Sequence, residues 1–139
     1  MSFLSRTLAT TSRGLLQGRS SFLATGLRQQ SRFMSMITLE GSEEIEKFRI
    51  VNAKSVLYFT AVWCPPCKVI KPVYENMAKE NEDVAFGLVD VDDNSDASLE
   101  FEITAVPTFI FFDGEKPVEK MTGADKATLE QKLADLKAR

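Results

Sequence analysis

The stretch "SVLYFTAVWCPPCK", residues 55–68, decides the architecture of this chain. Its first six residues form a continuous apolar, β-branched and aromatic run, the pattern of a strand covered on both faces. From Cys64 onward the period changes, with Ile70, Val73 and Met77 recurring at three- and four-residue spacing, which is helical. Pro72 falls inside that helix and is expected to kink it. Both cysteines of the chain therefore sit where a buried strand ends and a helix begins.

Working outward, Met36–Leu39 reads as a short first strand, and Ser42-Glu43-Glu44 offers a cap and acidic first turn for a helix with Ile45, Phe48 and Val51 on one face. Val84–Val91 reads as another buried strand, followed by an acidic turn and a short helix around Ser95–Glu102. Thr108–Phe112 and Val118–Met121 flank "DGEKP" and pair as a hairpin. Asp125 caps a last helix carrying the stripe Leu129, Leu133 and Leu136. The order β-α-β-α-β-α-β-β-α implies an α/β fold, one mixed five-stranded sheet with parallel crossovers, an antiparallel terminal hairpin and helices on both faces.

Two cysteines and no histidine exclude a four-ligand zinc site and a Cys-His hydrolase. For Cys64-x-x-Cys67 the reading is redox chemistry, the alternative being two buried thiols that never react. A thiol is nucleophilic only as thiolate, and the orphan N–H groups of a helix N-terminus favour that charge. Cys64 is expected to face solvent and attack a target disulfide. Cys67, one turn along and shielded beneath it, is expected to resolve the mixed disulfide. Pro66 costs no helix hydrogen bond in the first turn, and Pro65 removes an N–H that could have pointed at the sulfur. No organic cofactor or metal is needed.

The first 35 residues carry five arginines, no lysine, no acid and eleven Ser or Thr, which leaves 12 basic against 20 acidic side chains, a charge of −8, on residues 36–139. That break marks a boundary. No apolar run is long enough to span a membrane, and no apolar block suits a secretory signal. The Arg- and Ser-rich, acid-free leader has the composition of a mitochondrial targeting presequence, with plastid targeting as the alternative. Arg32-Phe33-Met34-Ser35 is similar to a mitochondrial processing site. The acidic remainder argues against a nucleic-acid partner.

"WCPPCK" after an apolar strand, then "AVPTFIFF", then "DG" followed by the glycine of "MTGAD" together resemble thioredoxin over about residues 36–139. WCPPC with an organellar leader is similar to plant and algal members of the h and o types. The resemblance implies a thioredoxin fold and disulfide-containing client proteins. It also implies recharging by an NADPH-dependent thioredoxin reductase. It makes Cys64 and Cys67 the redox pair and Trp63 a flat apolar shelf beside it. Pro107 becomes a cis-proline that lets the Val106 backbone pair with an incoming strand. Gly123 with Ala124 forms the third loop of a docking surface that also includes Pro66.

The sequence departs from the family at one pair. The buried aspartate expected six residues before the first cysteine is Tyr58, and Leu88 stands at the position of its partner lysine. A phenol, with an unperturbed pKa of about 10, is a poor proton acceptor at neutral pH. Deprotonation of Cys67 is therefore expected to be slower, or to be done by water or a substrate group. An aromatic in place of a buried carboxylate should also stabilise the fold. Three other functions compete. A disulfide oxidase or isomerase commonly has histidine between its cysteines, which this chain lacks. A glutaredoxin-like protein would favour tyrosine and threonine where Pro66 and Val106 stand. A non-catalytic binding module would use only the apolar patch of Trp63, Val106 and Ala124.

Overall fold

A computed structural model describes residues 35–139. Residues 1–34, which hold all of the expected leader except Ser35 and include Arg32-Phe33-Met34 of the processing motif, lie outside the described residues. Within them the chain runs β1 (Ile37–Thr38), α1 (Ser42–Val51), β2 (Lys54–Thr60), α2 (Pro65–Glu80), β3 (Ala85–Asp90), α3 (Ser95–Glu100), β4 (Thr108–Asp113), β5 (Lys116–Thr122) and α4 (Lys126–Lys137). The sheet order is β1-β3-β2-β4-β5. β3 pairs parallel with both β1 and β2, while β4 pairs antiparallel with β2 and β5.

Alternation along the central strands divides the core in two. Val56, Tyr58, Phe86 and Leu88 face α2 and α4, packing on Cys67, Ile70, Tyr74, Leu129 and Leu133. Leu57, Phe59, Ala85 and Val89 face the other way, onto Ile45 and Phe48 of α1 and Ala97 of α3. Helices thus cover both faces, as the β-α alternation implies. Gly87 has a packing role inside β3. A Cβ there would lie 2.8 Å from a methyl of Leu39 and 3.2 Å from the Phe48 ring, so a side chain at 87 would push on the Leu39 methyl and on the Phe48 ring of α1.

Local chemistry corrects several expected boundaries. Gly41, at φ 87°, is the cap residue of α1, and Ser42 is the first helical residue. The entry to this helix is held from elsewhere: Asn94 Oδ1 accepts the Gly41 N–H at 2.6 Å, and Glu44 reaches back to the Glu40 N–H at 2.8 Å. Val51 is exposed, because it closes the last turn where the chain leaves for β2. The hairpin turn is shorter than "DGEKP": Gly114 turns at φ 66°, and Pro117 lies within β5, opposite Phe112 at a register shift. Proline is tolerated there because β5 is an edge strand. In α2 the helix continues through Pro72, and just after it Tyr74 is fully buried while Val73 is half-buried. The Tyr74 hydroxyl reaches the carbonyls of Val56 and Gly87 at 3.0 and 2.8 Å, bracing α2 against β2 and β3.

Candidate active site

The strand β2 delivers the chain to the sheet's carboxyl edge, where Ala61-Val62-Trp63 turns it into α2. Cys64 is the cap residue of that helix, and its Sγ accepts the Cys67 N–H at 3.2 Å. Pro65 and Pro66 hold the next two positions, so neither contributes an N–H to the turn. The standard cap bonds come from the second and third helical residues. The N–H lost to the sulfur is therefore that of Pro66, and not, as the sequence suggested, that of Pro65. The two cysteines are joined as a disulfide with their Cα atoms 5.3 Å apart. Both are buried, each 2% exposed, which corrects the expectation of a solvent-facing Cys64. Exposure does not distinguish the two cysteines, but position does: only Cys64 is the helix cap, and only Cys64 meets the Val106 carbonyl, 3.7 Å from its Sγ.

Three loops frame the disulfide. Trp63 is 63% exposed, with its ring N–H donating to Asp92 Oδ2 at 2.8 Å, so it forms a fixed apolar shelf and not a core residue. The Val106–Pro107 peptide is cis, as expected, with Pro107 buried and Val106 half-buried. The Pro107 carbonyl accepts the N–H of Gly123 at 2.9 Å, which ties the second loop to the third. Gly123 has φ 113° and nothing near its missing Cβ, so this position needs glycine for its backbone and not for space. Ala124 follows it and is exposed, as is Pro66 on the first turn of α2.

Tyr58 lies beneath the site with no exposed surface. It is in register with Leu88 on one side and Phe109 on the other. Its ring stacks on Phe109 at 4.7 Å and meets Tyr74 edge-on at 5.0 Å, contacts each worth about 0.5–1.5 kcal/mol. Its hydroxyl donates to the Cys67 carbonyl at 2.9 Å, pinning the first turn of α2 to the sheet. Burial pushes the phenol up from its ordinary range, and the neighbouring Thr60 hydroxyl offsets part of that rise. Tyr58 is therefore a neutral hydrogen-bond donor beneath the first turn of α2. Sequence reasoning missed the partner of Trp63, the brace from Tyr74, and Thr60 and Asp90, which stand one step above Tyr58 and Leu88 in the same register. The alternation of β2 and β3 carried the signal for that last pair.

A capped, disulfide-forming dithiol at the carboxyl edge of such a sheet defines a dithiol–disulfide oxidoreductase. The thioredoxin family profile matches residues 37–135. A thioredoxin H-type of Brassica campestris is 45% identical over 82 residues, covering 59% of this chain and 67% of the relative. A TPR repeat-containing thioredoxin TDX of Arabidopsis thaliana is 41% identical over 103 residues, covering 71% of this chain but only 27% of that longer protein. Among solved structures, mitochondrial thioredoxin 3 of Saccharomyces cerevisiae in its oxidized form superposes with a TM-score of 0.70 at 33% identity, covering 76% of this chain and 99% of that one. The chain belongs to the thioredoxin family. Among the described residues, no helix is long and apolar enough to cross a membrane.

Proposed function

We propose that this chain reduces disulfides in client proteins and is recharged by an NADPH-dependent thioredoxin reductase. The observation that carries the reading is the cap: Cys64 Sγ accepts the Cys67 N–H at the N-terminus of a helix 16 residues long. Both the N–H and the helix dipole stabilise negative charge on that sulfur. A client segment lies across Trp63, Val106–Pro107 and Gly123–Ala124, pairing with the backbone of Val106. The Cys64 thiolate attacks one client sulfur, forming a mixed disulfide and releasing the other client sulfur as a thiolate. The Cys67 thiolate then attacks Cys64 Sγ, closing the Cys64–Cys67 disulfide and freeing the second client thiolate. Two electrons and two protons from the reductase restore the dithiol.

Tyr58 takes the place of the buried proton acceptor and does not perform its task. Its hydrogen is directed to the Cys67 carbonyl, and its raised pKa keeps it neutral at working pH. The Cys67 proton therefore leaves by another route. The leader composition supports delivery to the mitochondrial matrix, with the plastid as the alternative destination.

The test is Cys67→Ser, which leaves Cys64 able to attack but not to be released. Stable mixed disulfides with disulfide-bearing clients are expected, and they disappear with dithiothreitol. Absence of any adduct would overturn the reading. For Tyr58, insulin reduction by Tyr58→Asp should exceed wild type below pH 8. Equal rates from pH 6 to 9 would show that the tyrosine does not slow the reaction.

A further inference from the structure

The α2 face of the sheet is apolar at the level where a charged pair was expected. Tyr58 and Leu88 are in register there, and neither can take a proton at neutral pH. The next pair in the same parallel register, toward the carboxyl edge, is Thr60 and Asp90. Side chains two residues apart on a strand share a face, so Thr60 lies above Tyr58, and Asp90 above Leu88. A cavity of about 260 Å³ opens at this level, and Cys67, Leu88, Thr60 and Asp90 all line it. It has room for several waters, at about 30 Å³ each in the liquid.

We propose that Asp90 accepts the Cys67 proton through water in this cavity, one step nearer the edge than the apolar Tyr58–Leu88 pair. Asp90 is half-buried and held in place: its Oδ1 accepts the Asp92 N–H at 2.8 Å, and its carbonyl accepts the N–H groups of Asn94 at 3.1 and 2.9 Å. The charged groups lining the cavity are Lys68 and Lys71 from α2 and Asp90 from β3, while β2 contributes the neutral Thr60. Asp92 is turned to Trp63. The lysines favour a thiolate at Cys67, and Asp90 receives its proton. In the resolving step the Cys67 S–H bond breaks, its proton passes through water to the carboxylate, and the sulfur's electron pair forms the bond to Cys64 Sγ. The client sulfur departs as a thiolate, and Asp90 returns its proton to bulk water.

This inference rests on the proposed reductase reading, and the test separates the two. Asp90→Asn keeps an Oδ1 to accept the Asp92 N–H and removes the acceptor. Stopped-flow measurement of the resolving step, started from a Cys64 mixed disulfide, is expected to show a rate about tenfold below wild type near pH 6.5. The gap should close toward pH 9, where an ordinary thiol, with a pKa of about 8.5, ionises unaided. A merely structural role would lower the rate equally at every pH. Identical profiles for Asp90→Asn and wild type, or a uniform offset, would overturn the inference while leaving adducts of Cys67→Ser intact. Loss of those adducts would overturn the reductase reading itself.

Discussion

Two helices in this molecule begin the same way and use the beginning differently. Cys64 caps α2 at φ −95°, ψ 108°, and Asp125 caps α4 at φ −99°, ψ 110°, each accepting the N–H three residues on at 3.2 and 3.3 Å. At Asp125 the Thr128 hydroxyl above all holds the carboxyl below its ordinary range; desolvation opposes it, and the Thr128 and Ala127 N–H groups add smaller lowering contributions. The cap stabilises an anion that remains in water. At Cys64 the same geometry surrounds a buried sulfur, and the residue matching Ala127 is Pro66, which has no N–H to give. The Asp125 cap holds a charge in water, while the Cys64 cap has one N–H donor fewer and is buried in a disulfide. The comparison teaches that a helix start sets a charge preference, while the number of donors and the exposure decide whether that charge is inert or nucleophilic.

The largest expected effect breaks the comparison at the sulfur. Cys64→Ser retains a cap acceptor, so the reduced protein should melt within a few degrees of wild type, while insulin reduction falls to the uncatalysed background. Retained turnover would mean that Cys64 is only a cap.

A smaller effect sharpens the donor count. Pro66→Ala restores the N–H that Ala127 supplies at the other cap. In the reduced protein the Cys64 thiol, followed by alkylation rate against pH, should titrate lower than wild type. An unchanged titration would show that the restored N–H does not reach the sulfur.

The smallest effect concerns Asp125→Ala. Because the folded-state pKa of Asp125 is depressed, its contribution is present above the ordinary aspartate range and is lost as pH falls through the folded value. Thermal melts should therefore show the variant a few degrees lower at pH 7, with the difference shrinking in acid. A difference independent of pH would assign the loss to helix propensity and not to the capped charge.

Much of this architecture is legible in the amino-acid sequence. The apolar run of β2, the change of period at Cys64 and the leucine stripe of α4 are local patterns, and local patterns carry their own periodicity. The capping role of Asp125 is readable for the same reason. The true cap of α1 is not, because the entry to that helix is held by Asn94, which comes from the far side of β3 in the chain. Tyr74 is hidden by the more obvious Val73, since only the tilt of α2 on the sheet decides which of two adjacent residues points inward. The burial of Cys64 cannot be read either: it depends on the Val106 carbonyl being brought against its sulfur by β4.

The sequence by itself determined the chemistry available to this protein. A chain with two cysteines, no histidine and a proline-flanked helix start has thiol–disulfide exchange open to it, and a tyrosine at position 58 cannot serve as a neutral-pH base. The tertiary structure decided which groups that chemistry meets. Strand alternation tells each side chain its face, but only the pairing of β2 with β3 sets Tyr58 beside Leu88 and Thr60 beside Asp90. Register is fixed by contacts between segments distant in the chain, and the presence of a carboxylate in the cavity beside Cys67 follows from it.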